Sequence, residues 1–127
     1  PRLDVFSVNA LVAADVVLIP IVPEPRPELT LGDVFRAIRH VRLLRAGQST
    51  LEIKGFIPNR VNRRREALTR DVLGRLPPGV PVLPAIHDSA YISRAPQFGK
   101  TLFQLAPNST AAEEYRQLAQ EIANGRH

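Results

Sequence analysis

The sequence predicts an α/β fold in which helices flank a parallel sheet. Two short apolar runs support this prediction, "VVLI" at residues 16–19 and "LEIKGFIPN" at residues 51–59. The first run is continuous and β-branched, which is typical of strands buried on both faces, and we expect the second to be buried in the same way. Segments with helical spacing alternate with these runs, as in parallel sheets. We therefore expect residues 1–127 to form a single α/β unit.

The first predicted helix covers residues 4–14 and has one apolar side, formed by Val5, Val8, Leu11 and Val12. The strand after it is expected to end at Pro20 and Pro23, because proline removes a donor from the ladder. A second helix is predicted to begin at Thr30 as N-cap, with Asp33 in the capping-box position, and to end at Gly47. Its inward residues are predicted to be Leu31, Val34, Phe35, Ile38, Val41 and Leu44.

The second half of the chain continues the alternation. A helix is predicted over residues 63–76 with Leu68, Val72 and Leu76 inward, and a third short strand within residues 77–86. Residues 102–107 are interpreted as a short edge segment. The last helix is expected to open at Thr110, with Glu113 in the capping-box position, and to end at Gly125. Its predicted apolar stripe consists of Tyr115, Leu118, Ala119 and Ile122. Three strands are few for a parallel sheet, so we expect the fold to be incomplete.

Composition restricts the class of protein. The net charge is +5 and the pI about 10.7, and fifteen of the seventeen basic residues are arginine. Arginine suits phosphate recognition, so a polyanionic partner is one explanation and the coding bias of a GC-rich genome is the other. The chain has no cysteine and no apolar run near the roughly 20 residues that span a bilayer, which favours the cytoplasm. It begins at Pro1 and contains no methionine, from which we expect a fragment.

Gly99-Lys100-Thr101 resembles the end of a phosphate-binding loop. That loop needs G-x-x-x-x-G-K-[ST], whose glycine-rich backbone curls its N–H groups around the anion. Arg94 stands where the first glycine is required, and Pro96 lacks an N–H group. The segment is therefore predicted to be a turn, and the full motif occurs nowhere else in the chain.

Two longer segments, in this order, carry a family resemblance. Residues 7–24, "SVNALVAADVVLIPIVPE", and residues 92–122, "ISRAPQFGKTLFQLAPNSTAAEEYRQLAQEI", resemble the C-terminal half of the ParA/Soj/MinD family of deviant-Walker ATPases. The first is similar to the segment that follows the Walker B strand of that family, and the second to its C-terminal stretch. The strand and helix pattern between them also matches.

The resemblance implies a P-loop NTPase-like fold, of which this chain is the C-terminal part without the Walker A loop. It implies ATP and Mg²⁺ as cofactors of the intact protein, with no tight nucleotide binding and no ATPase activity by this chain alone. The partners that it implies are nonspecific DNA, a ParB-type protein and a second copy of the intact protein, without a membrane. The corresponding function is plasmid or chromosome partition by a cytoplasmic, nucleoid-associated protein. No catalytic residue and no metal ligand is predicted.

The predicted nucleotide contacts follow two strands. Asn59 and Arg60 follow the second strand, at the sheet edge that faces ligands in open α/β folds. An amide suits the edge of adenine, and the resemblance places an adenine contact here; otherwise Asn59 is expected to cap the next turn. His87, Asp88 and Ser89 correspond to the family segment that wraps the base. The histidine and aspartate depart from the family pattern, so backbone contacts are also possible there.

The densest basic run is "NRRRE" at residues 62–66. We predict that DNA phosphates are met, without sequence readout, by Arg63, Arg64, Arg65, Arg70, Arg94 and Lys100, with Arg75 as a further candidate. The alternative is an ordinary solvated helix start, although positive charge is unfavourable at that end of the helix dipole. 

Two other functions stay open. A noncatalytic module that presents an exposed sheet edge or apolar face to another protein is the main alternative. A MinD-like protein at membranes is the second, and the acidic polar face of the last helix argues against it.

Overall fold

The computed structural model of the protein describes residues 4–25, 28–45 and 51–125. In chain order the helices and strands are α1 (Val5–Ala13), β1 (Val16–Ile21), α2 (Glu28–Leu44), β2 (Glu52–Pro58), α3 (Glu66–Gly74), α4 (Ala90–Arg94), α5 (Leu102–Leu105) and α6 (Thr110–Asn124). Short 3₁₀ turns at Arg63–Arg65 and Ala95–Phe98 precede α3 and follow α4. Within the described ranges, no helix is long and apolar enough to cross a membrane.

β1 and β2 pair in parallel, from Val16 opposite Glu52 to Ile21 opposite Pro58. The predicted strand boundaries are therefore correct to within a residue or two, except at Pro20, which lies inside β1 instead of ending it. The Ile21 carbonyl accepts a hydrogen bond from Asn59 on the β2 side. Because neighbouring residues of a strand face opposite directions, the Pro20 nitrogen points away from β2, so the ladder between β1 and β2 loses no donor.

The predicted third strand is wrong as a regular strand but correct in position. Residues 81–88 run beside β2 with isolated parallel bridges at Val82 and His87. Phe56 donates to the Pro81 carbonyl at 2.9 Å, Leu83 donates to the Phe56 carbonyl at 2.8 Å and Ile86 donates to the Pro58 carbonyl at 2.8 Å. Pro81 and Pro84 have no N–H group, so the segment cannot complete a continuous ladder.

Helices cover both faces of the sheet. On one face Ile19, Ile21 and Phe56 pack with Ile38 and Val41 of α2 and Val72 of α3. On the other face Ile57 packs with Leu83, Ile86 and Leu118 of α6. Phe56 and Ile57 are neighbours in β2, so strand alternation alone sends one side chain into each layer.

Several predicted helix details are corrected. α2 begins at Glu28, ahead of Thr30, in keeping with the preference for acidic residues in the first turn; Gly47 lies outside the described residues. Leu44 is 62% exposed because the inward line of α2 runs through Ile38 and Val41 to Arg45, which is buried. The Arg45 guanidinium donates to the Ala14 carbonyl at 2.7 Å.

Two corrections concern the C-terminal region. Residues 102–105 are helical, not an extended edge, because Thr101 and Gln104 form a complete capping box. α6 is capped by Ser109 instead of Thr110, since the Ser109 hydroxyl accepts from the Ala112 amide at 3.1 Å. Ala119, which is predicted to face inward, is exposed, whereas its neighbour Leu118 is buried. Gly125 ends α6 as predicted.

The close approach of β2 to residues 81–83 requires a glycine at position 55. A Cβ atom added there would lie 2.7 Å from Leu83 Cγ and 3.0 Å from the Pro81 carbonyl oxygen.

We expect Gly55→Ala to lower the free energy of unfolding by about 1–3 kcal/mol through overpacking, measured by urea denaturation. Gly74→Ala is the matched control, because a Cβ there meets nothing within 4 Å in α3. That variant should be neutral or stabilising by up to about 1 kcal/mol, and equal losses in both variants would contradict this packing account.

Candidate functional site

A cavity of about 590 Å³ lies where residues 81–88 leave the sheet edge and α6 begins. Its lining is mostly polar and comes from three parts of the chain: Arg63; His87, Asp88, Ser89 and Tyr91; and Asn108, Ser109, Thr110, Ala111 and Glu114. A concave site with a few convergent polar groups is the usual form of a small-ligand site. We therefore take this cavity as the candidate site.

The structure brings three of the predicted nucleotide contacts together and separates the other two. His87, Asp88 and Ser89 all line the large cavity, whereas Asn59 and Arg60 do not. Arg60 lines a second cavity of about 220 Å³, which shares Asp88 with the first. The Arg60 Nε atom lies 3.6 Å from Asp88 Oδ1, so an ion pair joins the two loops at the boundary between the cavities.

Backbone geometry explains the separation of Asn59 from the cavity. The Asn59 amide extends the sheet by donating to the Ile21 carbonyl at 2.8 Å, and the residue is half-buried. Arg60 then turns the chain with a φ of 54°, a left-handed conformation that non-glycine residues rarely adopt. The alternative capping role falls to Asn62, whose Oδ1 accepts from the Arg64 amide at 2.9 Å. The base contact assigned to Asn59 stays a prediction.

Glu114 connects the walls of the large cavity. Its Oε1 accepts from the His87 amide at 3.1 Å, and its Oε2 lies 2.5 Å from His87 Nδ1. Arg63 donates to the same Oε2 at 3.4 Å. A carboxylate oxygen can only accept, so the proton of the short contact belongs to His87 Nδ1. One carboxylate, 15% exposed, thereby joins α6, the loop after residue 86 and the 3₁₀ turn at Arg63–Arg65, which we call the arginine turn.

Sequence reasoning missed Glu114, although a signal for it exists. Glu114 lies three residues after Ala111 and four before Leu118, and both of those residues are buried. This spacing places a carboxylate on the inward side of α6. A charged residue at an inward helix position is rarely buried unless it is paired. The position of Glu114 therefore predicts that it has a partner, but not which residue that partner is.

The cavity serines already serve the fold. The Ser89 hydroxyl accepts from the Tyr91 amide at 3.2 Å and caps α4. The Ser109 hydroxyl caps α6 and also donates to the Ala106 carbonyl at 2.7 Å. Neither serine has a hydrogen bond to a histidine among the described residues, so neither forms the serine–histidine pair that activates a nucleophile.

The predicted DNA contacts fall on two regions. Arg63, Arg64 and Arg65 form the 3₁₀ turn after β2, and Arg70 is exposed on α3. Arg94 lies beside Tyr91 in a third cavity of about 320 Å³, and Lys100 is exposed in the turn after Phe98. Tyr91 also lines the large cavity, so it links the two regions. Arg75 is engaged by Asp71 at 3.3 Å and by the Pro25 carbonyl at 3.1 Å.

Gly99-Lys100-Thr101 forms a turn, as predicted. Gly99 has a φ of 63° and ends the Ala95–Phe98 turn, while the Lys100 amide donates to the Ala95 carbonyl at 3.0 Å. The Thr101 hydroxyl accepts from the Gln104 amide at the start of α5. These backbone groups satisfy each other and form no cradle for an anion.

Comparison with known proteins shows what this chain is similar to. No protein-family model matches the chain. Over 126 residues it is 32% identical both to the chromosome partitioning protein ParA of Caulobacter vibrioides and to the chromosome-partitioning ATPase Soj of Thermus thermophilus. Each alignment covers 96% of this chain but only 46% of the Caulobacter protein and 49% of the Thermus protein. The chain thus spans about half the length of the curated relatives that it matches.

Solved structures agree on the fold. Cyanothece McdA in its ATP complex superposes with a TM-score of 0.70 at 20% identity, over 95% of this chain and 48% of that one. The cell division ATPase MinD of Pyrococcus furiosus gives a TM-score of 0.62 at 24% identity, over 96% of this chain and 48% of that one. The class is therefore the parallel α/β fold of P-loop ATPases of the ParA and MinD type.

With the sequence relatives, the family resemblance is confirmed. The matches cover nearly all of this chain and about half of each relative, which is consistent with the C-terminal half of a ParA/Soj/MinD-type ATPase.

The Glu114 contacts generate a prediction that does not depend on function. Replacing Glu114 with alanine removes the acceptor of the His87 amide, which we expect to exchange its hydrogen about tenfold faster, the equivalent of one hydrogen bond. Hydrogen exchange followed by NMR measures this change. The Ile86 amide, which donates to Pro58, should keep its rate, as should both amides in Glu113→Ala. An unchanged His87 rate in Glu114→Ala would contradict the assigned contact.

Proposed function

We propose that this chain is the C-terminal part of a ParA-like ATPase that partitions plasmids or chromosomes, with residues 1–127 forming a single unit of that protein. The observation that carries the proposal is the match to ParA and Soj over 96% of the chain. Within that frame the chain supplies the adenine side of the nucleotide site and the surface that faces DNA.

The adenine side is assigned to the loops that follow β2 and residue 86. His87, Asp88 and Ser89 provide polar groups at one cavity, and Asn59 lies at the end of β2. Two carboxylates, Asp88 and Glu114, line the large cavity, which therefore suits the hydrogen-bonding edge of a base better than a triphosphate.

ATP and Mg²⁺ are proposed as cofactors of the intact protein. The residues of this chain fit the base and not the phosphates, since the sequence contains no G-x-x-x-x-G-K-[ST] segment. Among the described residues no group of three histidines or acidic residues is placed to hold a metal ion. We assign this chain no step of hydrolysis.

DNA is the proposed partner of the arginine turn. Arg64, Arg65 and Arg70 are exposed, and among the described residues none of them has a carboxylate within ion-pair distance. Such cations neutralise phosphates without reading sequence. A ParB-type protein, a second copy of the intact protein and a cytoplasmic, nucleoid-associated location belong to the same proposal.

A noncatalytic interaction module is the second candidate, and one surface favours it. Val5 and Phe6 of α1 are 71% and 82% exposed, although both are large and apolar. Exposed large apolar residues are typical of protein contacts. DNA binding separates the two candidates, because a module of this kind does not need the arginine turn.

Duplex DNA retardation tests the proposal. We expect Arg64→Ala/Arg65→Ala to weaken binding of a random-sequence duplex and to reduce the salt slope of log K by about 2, since each phosphate contact contributes about 0.9. Titration of the shift at several salt concentrations measures both quantities. Arg36→Ala/Arg39→Ala on α2 removes the same charge and should leave the slope nearly unchanged. Equal losses in the two double variants would mean that net charge, and not the arginine turn, binds DNA.

ATP turnover provides a separate test. The 127-residue chain should release no phosphate from ATP above the buffer rate. Its sequence contains no G-x-x-x-x-G-K-[ST] segment, which would supply the lysine and the N–H groups that bind the phosphates. A coupled phosphate assay with and without duplex DNA measures this. Turnover that is lost on mutating His87 would place catalysis in this chain and overturn the assignment.

A further inference from the structure

We propose that Glu114 restrains DNA binding by competing with DNA phosphates for Arg63. The inference rests on the proposed DNA binding by the arginine turn and adds a regulatory contact to it. The carboxylate would act as an internal substitute for a phosphate, so that part of the arginine turn is neutralised before DNA arrives.

The three arginines of the turn are not equivalent. Arg63 donates to Glu114 Oε2 at 3.4 Å, whereas among the described residues Arg64 and Arg65 have no carboxylate within ion-pair distance. Arg63 also lines the large cavity, while its neighbour Arg65 lines the second one. The turn therefore presents two unneutralised cations and one that is already paired.

The Arg63 pair is built to exchange. The Arg63 side chain is 60% exposed, so solvent screens its attraction and a competing phosphate can reach it. Glu114, by contrast, is 15% exposed and keeps two contacts with His87 when Arg63 leaves. Release of Arg63 consequently leaves no uncompensated buried carboxylate, and only a weak surface pair is lost.

A conservative variant isolates the competition. Glu114→Gln removes the charge but retains an amide oxygen that can accept from the His87 amide. We expect it to bind a random-sequence duplex about two- to fivefold more tightly, the equivalent of a weak ion pair. The salt slope should steepen by up to about 0.9 as Arg63 joins a phosphate. Fluorescence anisotropy at several salt concentrations measures both.

Glu113→Gln is the matched control. It removes the same charge from the neighbouring position of α6, where Glu113 pairs with Arg116 at 3.4 Å instead of Arg63. Any gain from net charge alone appears in both variants. In the Arg63→Ala background the extra gain of Glu114→Gln over Glu113→Gln should vanish, because the competing cation is then missing.

The outcomes separate this inference from the proposed function. If Arg64→Ala/Arg65→Ala weakens DNA binding while Glu114→Gln behaves as Glu113→Gln, the competition is refuted and the DNA surface stands. The competition is equally refuted if the extra gain persists without Arg63. If neither the protein nor any variant retards DNA, the proposed function itself fails.

A second comparison covers a Glu114→Gln variant that does not fold, as judged by circular dichroism. Arg63→Ala should then cost less DNA affinity than Arg64→Ala, because only Arg63 must give up a carboxylate before it binds phosphate. A loss from Arg63→Ala that equals or exceeds that of Arg64→Ala would overturn the inference.

Discussion

The parallel backbone ladder around β2 positions the predicted nucleotide contacts, residues 59, 60 and 87–89. It continues past the ends of the strands: Asn59 donates to Ile21, Val61 donates to Ile86 and Asp88 donates to Val61, at 2.8 to 3.1 Å. Since parallel strands deliver their carboxyl ends to one edge, these bonds fix the loops after β1, β2 and residue 86 beside each other. Polar residues far apart in the sequence become neighbours for that reason alone.

Much of this architecture follows from local sequence. Apolar periodicity and β-branched runs predict α1, α2, α3, α6 and both strands. All of these except α1 bury apolar residues. In α1 no residue is buried, and the apolar side predicted for it is wrong, because Val5 and Val12 are 71% and 41% exposed. Where the prediction fails, a specific local interaction decides. Pro20 stays in β1 because its nitrogen faces away from the ladder, and residues 102–105 are helical because Thr101 and Gln104 cap each other. Such details depend on direction and on single hydrogen bonds, which periodicity does not encode.

The candidate site is less predictable than the fold. The sequence predicts nucleotide contacts at residues 59 and 87–89; residues 87–89 line the large cavity, but Asn59 does not. Glu114 meets His87 across 27 residues and Arg63 across 51. A pattern on one helix can show that a carboxylate faces inward, yet the identity of its partner depends on which loops the sheet brings to that helix. Family resemblance therefore points to residues 87–89, whereas the contacts of Glu114 are seen only in the fold.

The arginines at this edge of the sheet are of two kinds, those that face a carboxylate and those that face solvent. Arg60 faces Asp88 at 3.6 Å and Arg63 faces Glu114 at 3.4 Å, so both arginines cross-link the loop after β2 to the opposite wall. Arg64 and Arg65, which follow directly, face solvent instead. A polyanion that approaches this edge is attracted first by the unneutralised pair. Its phosphates bind Arg60 and Arg63 only where they displace Asp88 and Glu114 from these arginines. A carboxylate is displaced most easily when another donor still holds it after the arginine leaves. Because His87 is such a donor for Glu114, the proposed competition for Arg63 connects the arginine turn with the loop that is proposed to face the base.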